Sequence, residues 1–214
     1  MTPDLFDDVP RDVPLGEGAV LLGGFARSFE AALLRALDAV VAAAPFRHML
    51  TPGGHRMSVA MTNCGTVGWV TDRAGYCYDP VAPDSGRRWP EMPGVFAELA
   101  ARAAAQAGYP GFAPDACLVN LYEPGARLSL HQDKDERTLD GPIVSVSLGL
   151  PATFLFGGLK RSDPPRRRVA LRHGDVAVWG GPSRLAYHGV LPLAEGEHPA
   201  LGRRRINLTF RRAL

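Results

Sequence analysis

From residue 115 to residue 212 the chain falls into eight short β-like runs: "ACLVNLYE", "RLSLHQD", "PIVSVSLGL", "ATFLFGG", "RRVALRHG", "DVAVWGG", "LAYHGV" and "RINLTFRR". Gly, Pro and Asp turn signals separate them, which is how a succession of antiparallel strands reads. Eight such strands predict a double sheet of jelly-roll type, the double-stranded β-helix. Two alanine-rich helices precede them. The first runs through "FEAALLRALDAVVAAA" from Ser28 as N-cap, with Phe29, Leu33, Leu37, Val40 and Val41 at helical spacing. The second, "GVFAELAARAAAQA", is closed by Gly108. Helices packed on one side of a double sheet make the class α+β. Residues 45–92, rich in Gly, Pro, Thr and aromatics, predict short strands and loops.

At 214 residues, 46% hydrophobic and 21% charged, the chain is expected to form one soluble domain. Its apolar stretches are strand-sized or interrupted by charge, so no transmembrane helix is expected. The start, "MTPDLFDDVPRD", has neither a basic nor an apolar leader region, which predicts a cytoplasmic protein. Cys64, Cys77 and Cys117 show no CxxC spacing and read as reduced thiols. Net charge is only +2, but basic residues cluster in "KRSDPPRRR" (160–168) and at Arg203, Arg204 and Arg205. By itself such a run reads as a solvated loop; beside a nucleic-acid site it reads as a phosphate track.

"SLHQDKDE" (129–136) carries the chemistry. Strand side chains alternate, so His131 and Asp133 project to one face and Gln132 to the other. That supplies two positions of a 2-His-1-carboxylate facial triad, the arrangement of non-haem Fe(II) oxygenases. A strand-end polar pair would look the same. For the third ligand His188, in "LAYHGV", is the best candidate, with His48, His55, His173 and His198 competing. In "RINLTFR", Ile206, Leu208 and Phe210 alternate with Arg205, Asn207, Thr209 and Arg211. The polar face points either to solvent or into the barrel. In the barrel its arginines need anionic partners, because unpaired buried charge costs several kcal/mol. A dicarboxylate would serve, since arginine grips carboxylates bidentately. Asn120 and Tyr122 in "LVNLY" share one face in the same way.

With HxD, a distant histidine and an Arg-Asn-Arg strand in that order, the chain resembles the 2-oxoglutarate/Fe(II) dioxygenases. More narrowly it resembles the AlkB-type oxidative nucleic-acid dealkylases. The likeness is dense in "TPGGHRMSVAMTNCG", "PDACLVNLYEPGARLSLHQDKDE", "PIVSVSLGLPATFLFGGLKR" and "HGDVAVWGG". It implies Fe(II) held by His131, Asp133 and His188, dioxygen at an open position, and 2-oxoglutarate bound by Asn120, Tyr122, Arg205, Asn207 and Arg211. It places Arg211 at the distal carboxylate and Arg205 near the metal end. It implies that a damaged base stacks on Trp69, with Tyr76, Lys134, Asp135, Glu136 and Arg161 around base and backbone. Residues 45–90 would be a nucleotide-recognition lid and residues 115–214 the catalytic core of a single domain.

The resemblance also implies oxidative demethylation of bases such as 1-methyladenine and 3-methylcytosine. The partner would be alkylated single-stranded DNA, with RNA and double-stranded DNA as further candidates, and the protein a monomer. His55 stands where the family has a tyrosine and Arg127 where it has a lysine. Two rivals remain: an oxygenase of the same chemistry acting on a protein or small metabolite, and a non-catalytic nucleic-acid-binding jelly-roll.

Overall fold

The computed structural model describes residues 11–163 and 167–214. The acidic start up to residue 10, and residues 164–166 inside the basic run, lie outside the described residues. In chain order the elements are β1 (Val13–Gly16), β2 (Ala19–Leu22), α1 (Glu30–Ala43), β3 (Arg47–Leu50), β4 (Arg56–Gly65), β5 (Gly68–Asp72) and β6 (Gly75–Asp79). Then follow α2 (Gly94–Gln106), β7 (Ala116–Tyr122), β8 (Leu128–His131), β9 (Ile143–Gly149), β10 (Ala152–Phe156), β11 (Arg167–Leu171), β12 (Val176–Trp179), β13 (His188–Val190) and β14 (Arg205–Arg211). All eight expected strands are present, and both helices.

The strands form a large sheet, β1-β2-β12-β9-β14-β7-β4-β3, a smaller one, β11-β10-β13-β8, and a separate β5-β6 hairpin. Every pairing is antiparallel. The large sheet crosses the expected boundary between lid and core. From the stretch 45–90, β3 and β4 are built into it, and β4 pairs directly with β7 from Ala60↔Leu121 to Gly65↔Ala116. Only the β5-β6 hairpin stands apart as a sheet of its own.

Alternation along β14 explains the two layers. Ile206, Leu208 and Phe210 join Leu33, Leu37, Phe96, Leu99 and the valines of β9 and β12 in an apolar layer under the helices. Phe96 meets Phe210 edge-on with ring centroids 5.9 Å apart. On the other side of the sheet a second apolar cluster, including Tyr122, Phe154, Phe156, Leu171 and Trp179, fills the space between the sheets. Arg205, Asn207, Thr209 and Arg211 face that interior and are themselves buried. The polar face of the last strand therefore points inward.

One helix start differs from expectation. Ser28 sits inside a 3-10 turn, Arg27–Phe29, and Phe29 is the N-cap of α1 without a side-chain cap bond. The turn is held by backbone bonds, Arg27 N–H to Gly24 O and Phe29 N–H to Ala26 O, so no serine cap is needed. Gly108 does end α2. At φ +91° it adopts the left-handed conformation that reverses the chain, while Tyr109 N–H returns to Ala104 O.

Candidate metal centre and active site

Strand pairing builds the metal centre. β13 lies beside β8 with His188 directly opposite His131. β8 ends at His131, so Asp133 stands just beyond the strand and keeps the same-side position that alternation predicts. Gln132 turns away and donates to Leu185 O at 2.6 Å. Asp133 Oδ1 lies 3.6 Å from His131 Nε2, and its Oδ2 lies 3.6 Å from His188 Nε2. One donor atom from each of the three lies within 4.8 Å of the others. His48, His55, His173 and His198 are not in this group.

The outer ring nitrogens are already engaged. His131 Nδ1 meets Ser129 O at 2.8 Å, and His188 Nδ1 meets Ala186 O at 3.0 Å. A carbonyl partner fixes the proton on Nδ1 and leaves Nε2 as the free lone pair facing Asp133. Burial, with His188 alongside, pushes the imidazole of His131 below its ordinary value, so the neutral, donor form prevails. Burial by itself would raise the Asp133 carboxyl. The Arg211 guanidinium, followed by the two histidines, overrides it and holds Asp133 well below the usual carboxylate range. Two imidazole nitrogens and one carboxylate suit Fe(II) and leave further coordination positions open. The donor set fits the metal.

The floor of the cleft is the inner face of β7, β9 and β14. Asn207 Nδ2 donates to Ser145 Oγ and Val146 O, and Asn120 Nδ2 donates to Asn207 Oδ1. Arg205 is 1% exposed, lies 4.8 Å over the Tyr122 ring and donates through one nitrogen to Ser147 Oγ. Its Nε and Nη1 have no partner, and neither does Asn120 Oδ1. Desolvation pulls the guanidinium pKa below its usual value, with Tyr122 opposing. A buried cation with two idle donors fits a carboxylate-bearing cosubstrate.

Two expectations about charged residues need correction. Arg211 was expected at the distal carboxylate and Arg205 near the metal end; it is Arg211 that stands beside the metal donors, while Arg205 lies against Tyr122. Arg211 donates to Asp133 Oδ2 from Nη2 at 2.6 Å and from Nε at 3.1 Å, so it is the metal-proximal arginine. Glu136 was expected beside the substrate. Its side chain is 1% exposed and sits among Arg184 (3.2 Å), Arg211 (3.3 Å) and the Tyr78 hydroxyl, which donates to it at 3.2 Å. Three partners already hold its Oε1, and this buried position removes it from the base. It backs Arg211, which backs Asp133.

Trp69 is half-buried on β5 and clamped by its backbone. Asn63 accepts from Trp69 N–H and donates to Trp69 O, both at 3.0 Å. The indole N–H donates to Asp135 Oδ2 at 2.8 Å, and Tyr76 stacks at 5.5 Å with planes 16° apart. Trp69, Tyr76, Lys134, Asp135 and Arg161 line one cleft of about 820 Å3, together with His131, Asp133, His188 and the five expected cosubstrate residues. His55 and Arg127 reach its wall as well. Ser145, Ser147, Arg184 and Tyr78 are additional site residues. The serines left a signal, because they alternate with valines in "IVSVSLG" and so mark a polar inner face. Arg184 and Tyr78 left none.

A jelly-roll with two histidines and a carboxylate at one end, and an underemployed buried arginine on its floor, defines a mononuclear non-haem iron oxygenase dependent on a 2-oxo acid. The chain belongs to the 2OG-Fe(II) oxygenase superfamily, whose family model matches residues 18–211. It is 59% identical to the alpha-ketoglutarate-dependent dioxygenase AlkB of Escherichia coli K12, over 98% of this chain and 97% of that one. A solved structure described as that of OsALKBH1 superposes with a TM-score of 0.80 at 30% identity, covering 94% of this chain and 100% of the other. A shorter match, 35% identical over 60% of this chain and 33% of the relative, is to the mouse nucleic acid dioxygenase ALKBH1. The protein is an Fe(II)- and 2-oxoglutarate-dependent dioxygenase.

Proposed function

We propose that this dioxygenase removes N-alkyl groups from nucleobases, with 1-methyladenine and 3-methylcytosine in single-stranded DNA as its main substrates and RNA or double-stranded DNA as secondary ones. The observation that carries this reading is the single cleft joining a three-donor metal centre to a clamped tryptophan, with Lys134 and Arg161 exposed at its side. An aromatic face beside basic residues suits an unpaired or extruded base with its phosphates. The similarity to AlkB and to a named nucleic acid dioxygenase supports the same substrate class.

When bound, iron, 2-oxoglutarate and dioxygen supply oxidation of a C–H bond on the alkyl group, with succinate and CO2 as coproducts and aldehyde released from the base. The protein supplies position. His131, Asp133 and His188 would hold the metal through Nε2, a carboxylate oxygen and Nε2. Arg211, donating twice to Asp133 Oδ2, restrains the carboxylate that would hold the metal. Arg205, with Tyr122, Asn120 and Asn207, would take the cosubstrate, its idle Nε–H and Nη1–H pairing with the distal carboxylate. Trp69 would support the base, and Asp135, held by the indole N–H, would stand where a cationic base gains attraction. Tyr76, Lys134 and Arg161 would line the backbone's path. In this proposal the protein works as a monomer in the cytoplasm. Separately, among the described residues no helix is long and apolar enough to cross a membrane.

The test is anaerobic loading with Fe(II) and 2-oxoglutarate, then oxygen and an oligonucleotide carrying 3-methylcytosine. Repaired base, formaldehyde and succinate should appear in equal amounts. Succinate formed with no change in any methylated oligonucleotide would sink the reading.

A further inference from the structure

Beside the metal cleft lies a second groove of about 530 Å3, and the two share Tyr76 and Asp135 as walls. Its volume is within the range of small-ligand clefts. Val67 and Ala213 belong to a small apolar cluster against which Tyr78 packs, and all three line the groove. The other side carries Arg88 and Arg137, both exposed. The backbone beneath these arginines is fixed. Arg88 bridges to Val81, Arg137 N–H donates to Ala213 O at 3.0 Å, and Ala213 N–H in turn donates to Asp115 Oδ1 at 2.7 Å.

Neither arginine makes a salt bridge among the described residues, whereas Arg47, Arg102, Arg184, Arg203 and Arg211 all do. The one acidic side chain of the groove wall, Asp135, is engaged by the Trp69 indole. Tyr76 is 49% exposed, so much of its surface stays open. An apolar floor, an open aromatic ring and two uncommitted guanidinium groups form the pattern that holds single-stranded nucleic acid: stacking for a base, positive charge for a phosphate.

We propose that this groove binds the strand beyond the nucleotides that flank the lesion, with Arg88 and Arg137 on a phosphodiester there and a base against the Tyr76 side. The assignment rests on the nucleic-acid reading of the metal cleft and extends it. A strand whose damaged base enters that cleft passes Tyr76 and reaches the groove without leaving the surface. The groove then gives affinity for strands longer than the lesion and its immediate phosphates, and leaves the reacting atoms untouched.

The experiment compares the metal-loaded protein with its Arg88→Gln/Arg137→Gln double variant, both positions being exposed. Fluorescence anisotropy, with oxygen excluded, follows binding of a labelled trinucleotide with 3-methylcytosine at its centre, and of an oligonucleotide of about twelve nucleotides with the same lesion, between roughly 50 and 200 mM salt. In parallel, kcat/KM is measured for 3-methylcytosine in both lengths. The double variant should bind the longer strand about three- to tenfold more weakly, as two exposed charge contacts would give. Its log–log salt slope should flatten by up to about 1.4, at about 0.7 for each single-strand phosphate contact. The trinucleotide's kcat/KM should be unchanged. An unaltered slope and affinity for the longer strand would overturn the proposal, and so would an equal loss on both lengths. If wild type demethylates nothing while the binding difference is present, the demethylase reading falls and the groove stands.

Discussion

The two faces of the large sheet are made from the same strands and obey opposite rules. Toward the helices, Val119, Val144, Val146, Val178, Leu208 and Phe210 are buried side by side with no polar atom to satisfy. Toward the smaller sheet, the residues next to them in sequence are Asn120, Ser145, Ser147, Asn207, Thr209 and Arg211, equally buried. Nearly every polar atom there has a partner on the same face, except on Arg205, Asn120 and the Trp179 indole. The helix-side face is complete as it stands, and burying it stabilises the fold by excluding water. The inner face is complete only when something carrying negative charge and donors or acceptors of its own is present.

The sharpest way to break this contrast is to remove a metal donor. His131→Ala, Asp133→Ala or His188→Ala should abolish turnover, because a three-donor site has no spare, while His173→Ala should keep it. Iron titration and product assays on all four variants check this, and activity surviving in His188→Ala would refute the assignment. Next in size is a cut on the other face. Phe210→Ala should cost about 3–5 kcal/mol of folding stability in urea unfolding.

Arg205→Met should behave in the opposite sense. The empty protein should be no less stable, since an unsatisfied buried charge is gone. Yet 2-oxoglutarate at a hundred times the wild-type Kd, which should stabilise wild type by about 2.7 kcal/mol, should give the variant almost nothing. Thermal unfolding with and without the cosubstrate reads both effects. Equal loss of stability in the empty protein at positions 205 and 210 would erase the distinction between the faces.

Smaller again is Tyr78→Phe, which takes one donor from Glu136 and should cost about 1–2 kcal/mol of stability. The smallest effect is expected at the rim. Asp135→Asn should narrow the ratio of kcat/KM for 3-methylcytosine over 3-methylthymine by a few fold. The first base is a cation and the second is neutral, so only the first uses the carboxylate and the Trp69 face. An unchanged ratio would make Asp135 a support for the indole and nothing more.

Much of this was legible from residue order. Turn signals gave all eight jelly-roll strands, period-two alternation put His131 and Asp133 on one side, and the Arg-x-Asn-x-Thr-x-Arg spacing placed four polar residues together on β14. What alternation does not encode is which strand lies beside which. Hence the entry of β1 to β4 into the large sheet was missed, as was the true depth of Glu136. The order of the two arginines failed for the same reason. Both project from one face of β14, and only the third dimension puts Asp133 beside Arg211 and Tyr122 beside Arg205. Ser28 looked like a cap because its type favours one, but a 3-10 turn held by backbone bonds had already claimed it.

His131 and His188 face each other across adjacent strands, and Gly189 makes the approach possible: a methyl group there would meet Leu128 O at 2.8 Å. Two of the three donors are thus spaced by the interstrand distance, a dimension that antiparallel pairing fixes at about 4.5–5.5 Å between facing residues. Loops around the cleft can lengthen, change charge or exchange one aromatic for another without altering that spacing. A lineage carrying this scaffold can therefore explore new substrates at the rim while inheriting the same metal grip, and Gly189, which binds nothing, is the position where such exploration would most readily go wrong.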